Sequence, residues 1–184
     1  MRTSTAFVAL FVLGLLTACN QPKARDTAAD NSGPLRAPGV AAAPDTLPGA
    51  PAQAPISAGL TLRPEFPAFY LDRINEAHDP LKNPATLSGN VPLEMTGFGF
   101  DGVAKAPAKG VDLDIDGRLF GTAYGSPRPD VASANKVPAL GASGYKAVLP
   151  PGALKPGKHQ VVVRVVTADG TGYYQSPVIN FTVQ

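Results

Sequence analysis

Among 184 residues the sequence has no tryptophan, one cysteine and two histidines, with 7% aromatic residues in all. A lone cysteine, Cys19, excludes a disulfide within the chain, so the fold must rest on packing. His78 and His159 stand far apart, and neither a His-Glu-x-x-His nor a paired-cysteine spacing occurs, so no metal pattern is present. No Gly-x-Ser-x-Gly exists; Gly141-Ala142-Ser143-Gly144 is one residue short and precedes a strand, not a strand-to-helix elbow. No glycine-rich phosphate loop leads into a helix, because no segment carries a convincing helical period. The 16 basic and 14 acidic residues give a net charge of +2 and no basic stripe for nucleic acid. These absences set an enzyme aside: only a hydrolase with a dispersed site stays open, and no cofactor is implied.

What is present starts at the N-terminus. Arg2 is followed by an apolar run from Ala6 to Leu16, too short to span a bilayer but suited to a secretory h-region. Leu16-Thr17-Ala18-Cys19 then resembles the lipobox of bacterial lipoproteins. That resemblance implies removal of residues 1–18 and a diacylglycerol on the Cys19 sulfur. The plain alternative is a small residue near an ordinary signal-peptidase site, but position, h-region and uniqueness favour lipid. Asn20 follows, rather than the aspartate of inner-membrane retention, so the expectation is a lipid-anchored protein of the outer membrane facing the periplasm. Its membrane contact is the lipid itself, durable when two or three chains are attached.

Residues 19–60 read as a tether. From Asn20 to Ile56 there is no aromatic residue and a proline every few positions, part of a total of 20 prolines and 19 glycines. Such a segment spans roughly 110 Å as polyproline II and about 35 Å as a flexible coil.

Residues 61–184 have a different texture: short alternating runs punctuated by Gly, Pro, Asn and Asp. That pattern predicts an all-β domain of about seven strands, an antiparallel sandwich of immunoglobulin type. The strands fall at 69–74, 93–100, 111–115, 118–123, 144–149, 159–167 and 178–183. The strongest places Val161, Val163 and Val165 on one face, towards the core.

The stretch VDLDIDGRLFGTA, residues 111–123, has two readings. Asp112, Asp114, Asp116 and Gly117 match positions 1, 3, 5 and 6 of a calcium loop, but the closing position holds Ala123 instead of glutamate. Strict alternation of Val111, Leu113 and Ile115 with the aspartates favours a strand, and Asp116-Gly117 favours a two-residue hairpin turn. The hairpin is the expectation, with the three carboxylates facing solvent.

The order of segments from Tyr70 to Val183 resembles a bacterial immunoglobulin-like module of secreted and surface proteins. The residues that carry it are Leu71 to Ile74, Val91 to Asp101, Asp114 to Gly121, Gly125 to Ala132, Ser143 to Tyr145 and Leu154 to Val165. Phe98 stands where similar modules often carry tryptophan, and the antibody-type cysteine pair is missing. The resemblance implies a sandwich without naming a subfamily or its ligand.

Candidate ligand-binding residues are Tyr124, Arg128, Asp130, Tyr145, Tyr173 and Tyr174. Arg128 and Asp130 could form a binding loop, though pinning the loop is the favoured role. The tyrosines could stack on sugar, though burial of the rings is commoner in a sandwich. His159, at a corner, is expected to bond backbone. The functional expectation is a non-catalytic module for protein binding or envelope assembly. The alternative is a carbohydrate-binding module for peptidoglycan or surface polysaccharide.

Overall fold

Val161, Val163 and Val165 are wholly buried, as their alternation requires, and the strand that carries them is the hub of the larger of two sheets. The structure, a computed structural model, describes residues 53–184; Cys19, the expected signal peptide and most of the expected tether lie outside those residues. Thirteen strands are present: β1 (Thr61–Leu62), β2 (Ala68–Ile74), β3 (Ala77–His78), β4 (Ala85–Leu87), β5 (Leu93–Asp101), β6 (Ala106–Pro107), β7 (Gly110–Ile115), β8 (Arg118–Gly121), β9 (Ala123–Ser126), β10 (Gly144–Leu149), β11 (Gly157–Val166), β12 (Gly172–Gln175) and β13 (Ile179–Val183). The all-β sandwich therefore holds, but the expected count of seven is corrected. The added strands are two to four residues long, too short to show a period of two.

In the first sheet β11 pairs antiparallel with β7, β12 and β13; β8 extends it beyond β7, while β1 and β4 add parallel to β12 and β13. In the second, β5 is central, flanked by β2 and by β10, with β3, β9 and β6 completing it. The segment expected as one strand over 118–123 is divided. β8 belongs to the first sheet and β9 to the second, and buried Thr122 marks the crossing, its hydroxyl donating to the Val111 carbonyl at 2.7 Å.

Between the sheets lie Leu71, Ile74, Met95, Leu113, Ile115, Leu149, Phe181 and Val161, Val163 and Val165 of β11. A second, smaller cluster forms elsewhere. Phe100 of β5 packs with Val131 and Leu140, and Phe98 lies against them. Val131 belongs to a helix, α1 (Pro129–Asn135), followed by a 3₁₀ turn (Pro138–Ala142), which corrects the expectation of essentially no helix. Pro129 opens the helix where a missing N–H costs nothing, and Lys136 ends it with φ at 56°. Seven residues with one buried side chain leave no helical period to read.

Candidate functional site

The hairpin reading of the aspartate stretch is what the backbone adopts. Asp116 and Gly117 have φ of 52° and 82°, the two positive angles a type I′ connection needs, and Ile115 pairs with Arg118 across it. The carboxylates, however, are not a row in solvent. Asp112 is 1% exposed, and one of its oxygens accepts the backbone N–H groups of Ile56 and Ser57 at 2.8 and 2.6 Å. Asp114 receives Arg164 Nη2 at 2.6 Å, and the same guanidinium lies 4.7 Å over the Tyr173 ring. Only Asp116 is exposed. One strand face thus meets three different partners: a backbone segment, a guanidinium and an imidazole. The carboxylates do not converge, and among the described residues no group of three or more His, Cys, Asp or Glu side chains gathers as a metal site.

The segment over Asp112 is the end of the expected tether. Gln53 also accepts the Gly121 N–H at 3.1 Å, so residues 53–57 lie against β7 and β8. Gly121 is required there, because a Cβ would stand 2.3 Å from the Gln53 carbonyl oxygen. Nothing in the composition of this segment signals that seat: its hydrogen bonds are made by backbone groups, and one side chain, Ile56, lies over Gly110.

Asp116 faces β11. One oxygen accepts the Gln160 N–H at 2.9 Å, and the other lies 2.6 Å from His159 Nδ1. His159 Nε2 is 2.7 Å from the Lys155 carbonyl, and its ring lies 5.4 Å from Phe181. Burial works against charge at both residues, but the bonds between them and to backbone prevail. The Asp116 carboxyl is held below its ordinary range and the His159 ring above its own. With both nitrogens engaged, His159 has none free to act as base on a serine.

Arg128 precedes α1. Its Nε and Nη2 donate to the two oxygens of Asp130 at 2.9 and 2.7 Å, its Nη1 donates to Asp72 at 2.7 Å, and its plane lies 4.7 Å over Phe98. Asp72 sits at the register shift of β2 against β5, a bulge that re-aims a side chain. Hydrogen bonding from Arg128 holds the Asp130 carboxyl down at about 2, whereas burial leaves that of Asp72 raised despite the same arginine. Arg128 thus ties the helical segment to β2 and β5, while Asp130 stays largely open to solvent.

The four candidate tyrosines do not form a platform. Tyr145 and Tyr174 are in the core, and the Tyr174 hydroxyl donates to Asp101 at 3.0 Å. Burial, then that bond, pushes the Tyr174 hydroxyl up to about 12, and burial raises that of Tyr145. Tyr124 packs against the core, its hydroxyl donating to the Gly99 carbonyl at 2.8 Å and accepting the Ala108 N–H. Tyr173 alone lies on an outer face, under Arg164. Rings that alternate into a core cannot also present one flat face, so a four-tyrosine sugar surface is set aside.

Apolar exposure that the sequence reading did not single out lies elsewhere. Phe69, Pro80, Leu81, Pro84, Pro177 and Val178 line a groove of about 190 Å³ between β2 and β13. Leu81 and Val178 are 41% and 51% exposed, and Phe66, 69% exposed, has its ring 6.0 Å from that of Phe69. Three prolines in two loops build this surface, and no periodic signal marks it.

No protein-family model matches the chain, and no curated protein matches it. Among solved structures, the endo-beta-1,4-mannanase from Thermotoga petrophila is similar over 66% of this chain, with a TM-score of 0.40 and 10% identity. The likeness spans 20% of the mannanase chain, and it carries no argument about function.

Proposed function

We propose that the protein is a non-catalytic binding module of the bacterial envelope, held on the outer membrane by lipid at Cys19 and acting on a protein partner. The observation that carries this reading is the apolar groove beside β2 and β13. Phe66, Leu81 and Val178 leave apolar area in water, and covering a side chain of this size fully contributes about 1.5–3 kcal/mol. Asn180 lines the groove and the Asp79–Lys82 pair stands beside Leu81, so the partner is an envelope protein with an apolar contact face that also carries polar groups at its margin. The hairpin and the Arg128 segment hold the sandwich together and leave this surface as the working one.

The test uses the full chain, tagged and expressed in its own membrane. A Phe66→Ser/Leu81→Ser/Val178→Ser variant keeps the fold and loses a partner that the wild type captures; retention of every captured protein by the variant overturns the groove as the binding surface. Cys19→Ser, followed by fractionation and mass spectrometry of the N-terminal peptide, tests the anchor separately. The variant leaves the membrane fraction and the wild-type peptide carries acyl chains; an unmodified, soluble wild type contradicts the anchor.

A further inference from the structure

The hairpin turn at Asp116-Gly117 and the turn that enters β11 belong to different parts of the chain, and one side chain touches both. His159 Nδ1 faces an Asp116 carboxylate oxygen at 2.6 Å, and His159 Nε2 faces the Lys155 carbonyl at 2.7 Å. Both partners only accept at neutral pH. A neutral imidazole has one N–H and one lone pair, so it can satisfy either contact but not both; the lone pair then points at an oxygen. Only the imidazolium donates in both directions.

We infer that His159 is a proton-dependent staple that joins the β7–β8 hairpin turn to the turn before β11 when its ring is charged, and uncouples them when it is neutral. The surroundings support the charged form. Asp116 supplies the one carboxylate, from the hairpin, and Phe181 of β13 supplies an uncharged ring between Asn180 and Thr182. In the turn before β11 Lys155 contributes its carbonyl, and on β11 itself Lys158 is exposed; Arg118, beside the hairpin turn, is turned over Phe120 at 5.0 Å. The hairpin tip has two further ties to β11, Asp116 N–H to the Gln160 carbonyl at 3.0 Å and Gln160 N–H to Asp116 at 2.9 Å. Deprotonation therefore loosens the tip without releasing β7.

The experiment is a pH series on the full chain in detergent micelles, with nitrogen-15 histidine spectra and amide exchange read on the same samples. At pH 6 both His159 nitrogens carry protons. As pH rises through the His159 transition one ring proton is lost. Exchange at the Asp116 and Gln160 amides, normalised at each pH to that of buried Val163, then rises about five-fold, the weight of one ordinary hydrogen bond. In His159→Gln the normalised exchange is flat with pH. A His159 ring that carries a single proton at pH 6, or a wild-type exchange ratio as flat as the variant's, overturns the inference. The ring spectrum needs no variant and stands if His159→Gln does not fold.

Discussion

The hairpin β7–β8 and the helical segment after Arg128 solve one problem in two ways. Each is a local excursion fastened to a distant strand by a cation against a carboxylate: His159 on Asp116, and Arg128 on Asp72 and Asp130. The guanidinium keeps its charge at every physiological pH, and hydrogen bonding from it holds Asp130 at about 2, so the cation of this joint is never lost, while its tie to β2 runs through Asp72, whose carboxyl burial raises. The imidazole holds its second contact only while charged, so the hairpin is fastened conditionally. Above the range in which the carboxylates titrate, the choice of cation separates a fixed joint from a switchable one.

The largest break in this comparison comes from Arg128→Ala. It removes three charge-assisted bonds and the contact with Phe98, and we expect a loss of about 2–3 kcal/mol in denaturant unfolding, unchanged between about pH 7 and 9. Arg128→Lys recovers less than half, since an ammonium cannot present the planar fork. Asp112→Ala comes next, at about 2 kcal/mol, because the Ile56 and Ser57 N–H groups lose their acceptor; faster exchange of those two amides locates the damage. Gly117→Ala costs about 1 kcal/mol through its positive φ, with the hairpin register kept by the Val, Leu and Ile that face the core. The smallest and most selective effect is that of His159→Gln. A raised folded pKa means the staple's stabilisation is fully present below about pH 6.5, the unfolded value, and is lost as pH climbs through the folded one. The variant therefore differs from wild type at pH 6 by about 1 kcal/mol and converges with it in alkaline buffer, as paired urea titrations will read. At the acid end Asp116, whose folded pKa is depressed, gives up its share as pH falls through that folded value.

The same comparison separates what the sequence makes legible from what it hides. The six strands of five or more residues were readable from alternation, and Asp116-Gly117 was readable because positive φ at two consecutive positions has a chemical signature. The helix was not, since seven residues starting at a proline with one buried side chain resemble a loop. Asp112 was read as a solvent-facing residue because its partners are backbone amides of a segment with no hydrophobic period. Tyr145 and Tyr174 could be weighed between core and surface only once their strands had a face. The apolar groove escaped for a related reason: it is assembled from residues 69, 80–84 and 177–178, which only the packing of the two sheets brings together. Local backbone chemistry is written in the sequence, whereas a partner chosen across the sandwich is not.

We propose that this groove is where the protein meets another. Its most direct test is site-specific photo-crosslinking in intact cells, with the photoreactive residue placed in the full chain at 66, 81 or 178 and, as control, at exposed position 158 on β11. We expect the same protein adduct from positions 81 and 178 in the groove and from 66 beside it, and none from the control. Absence of any adduct at the groove, or an equal adduct from position 158, would contradict it.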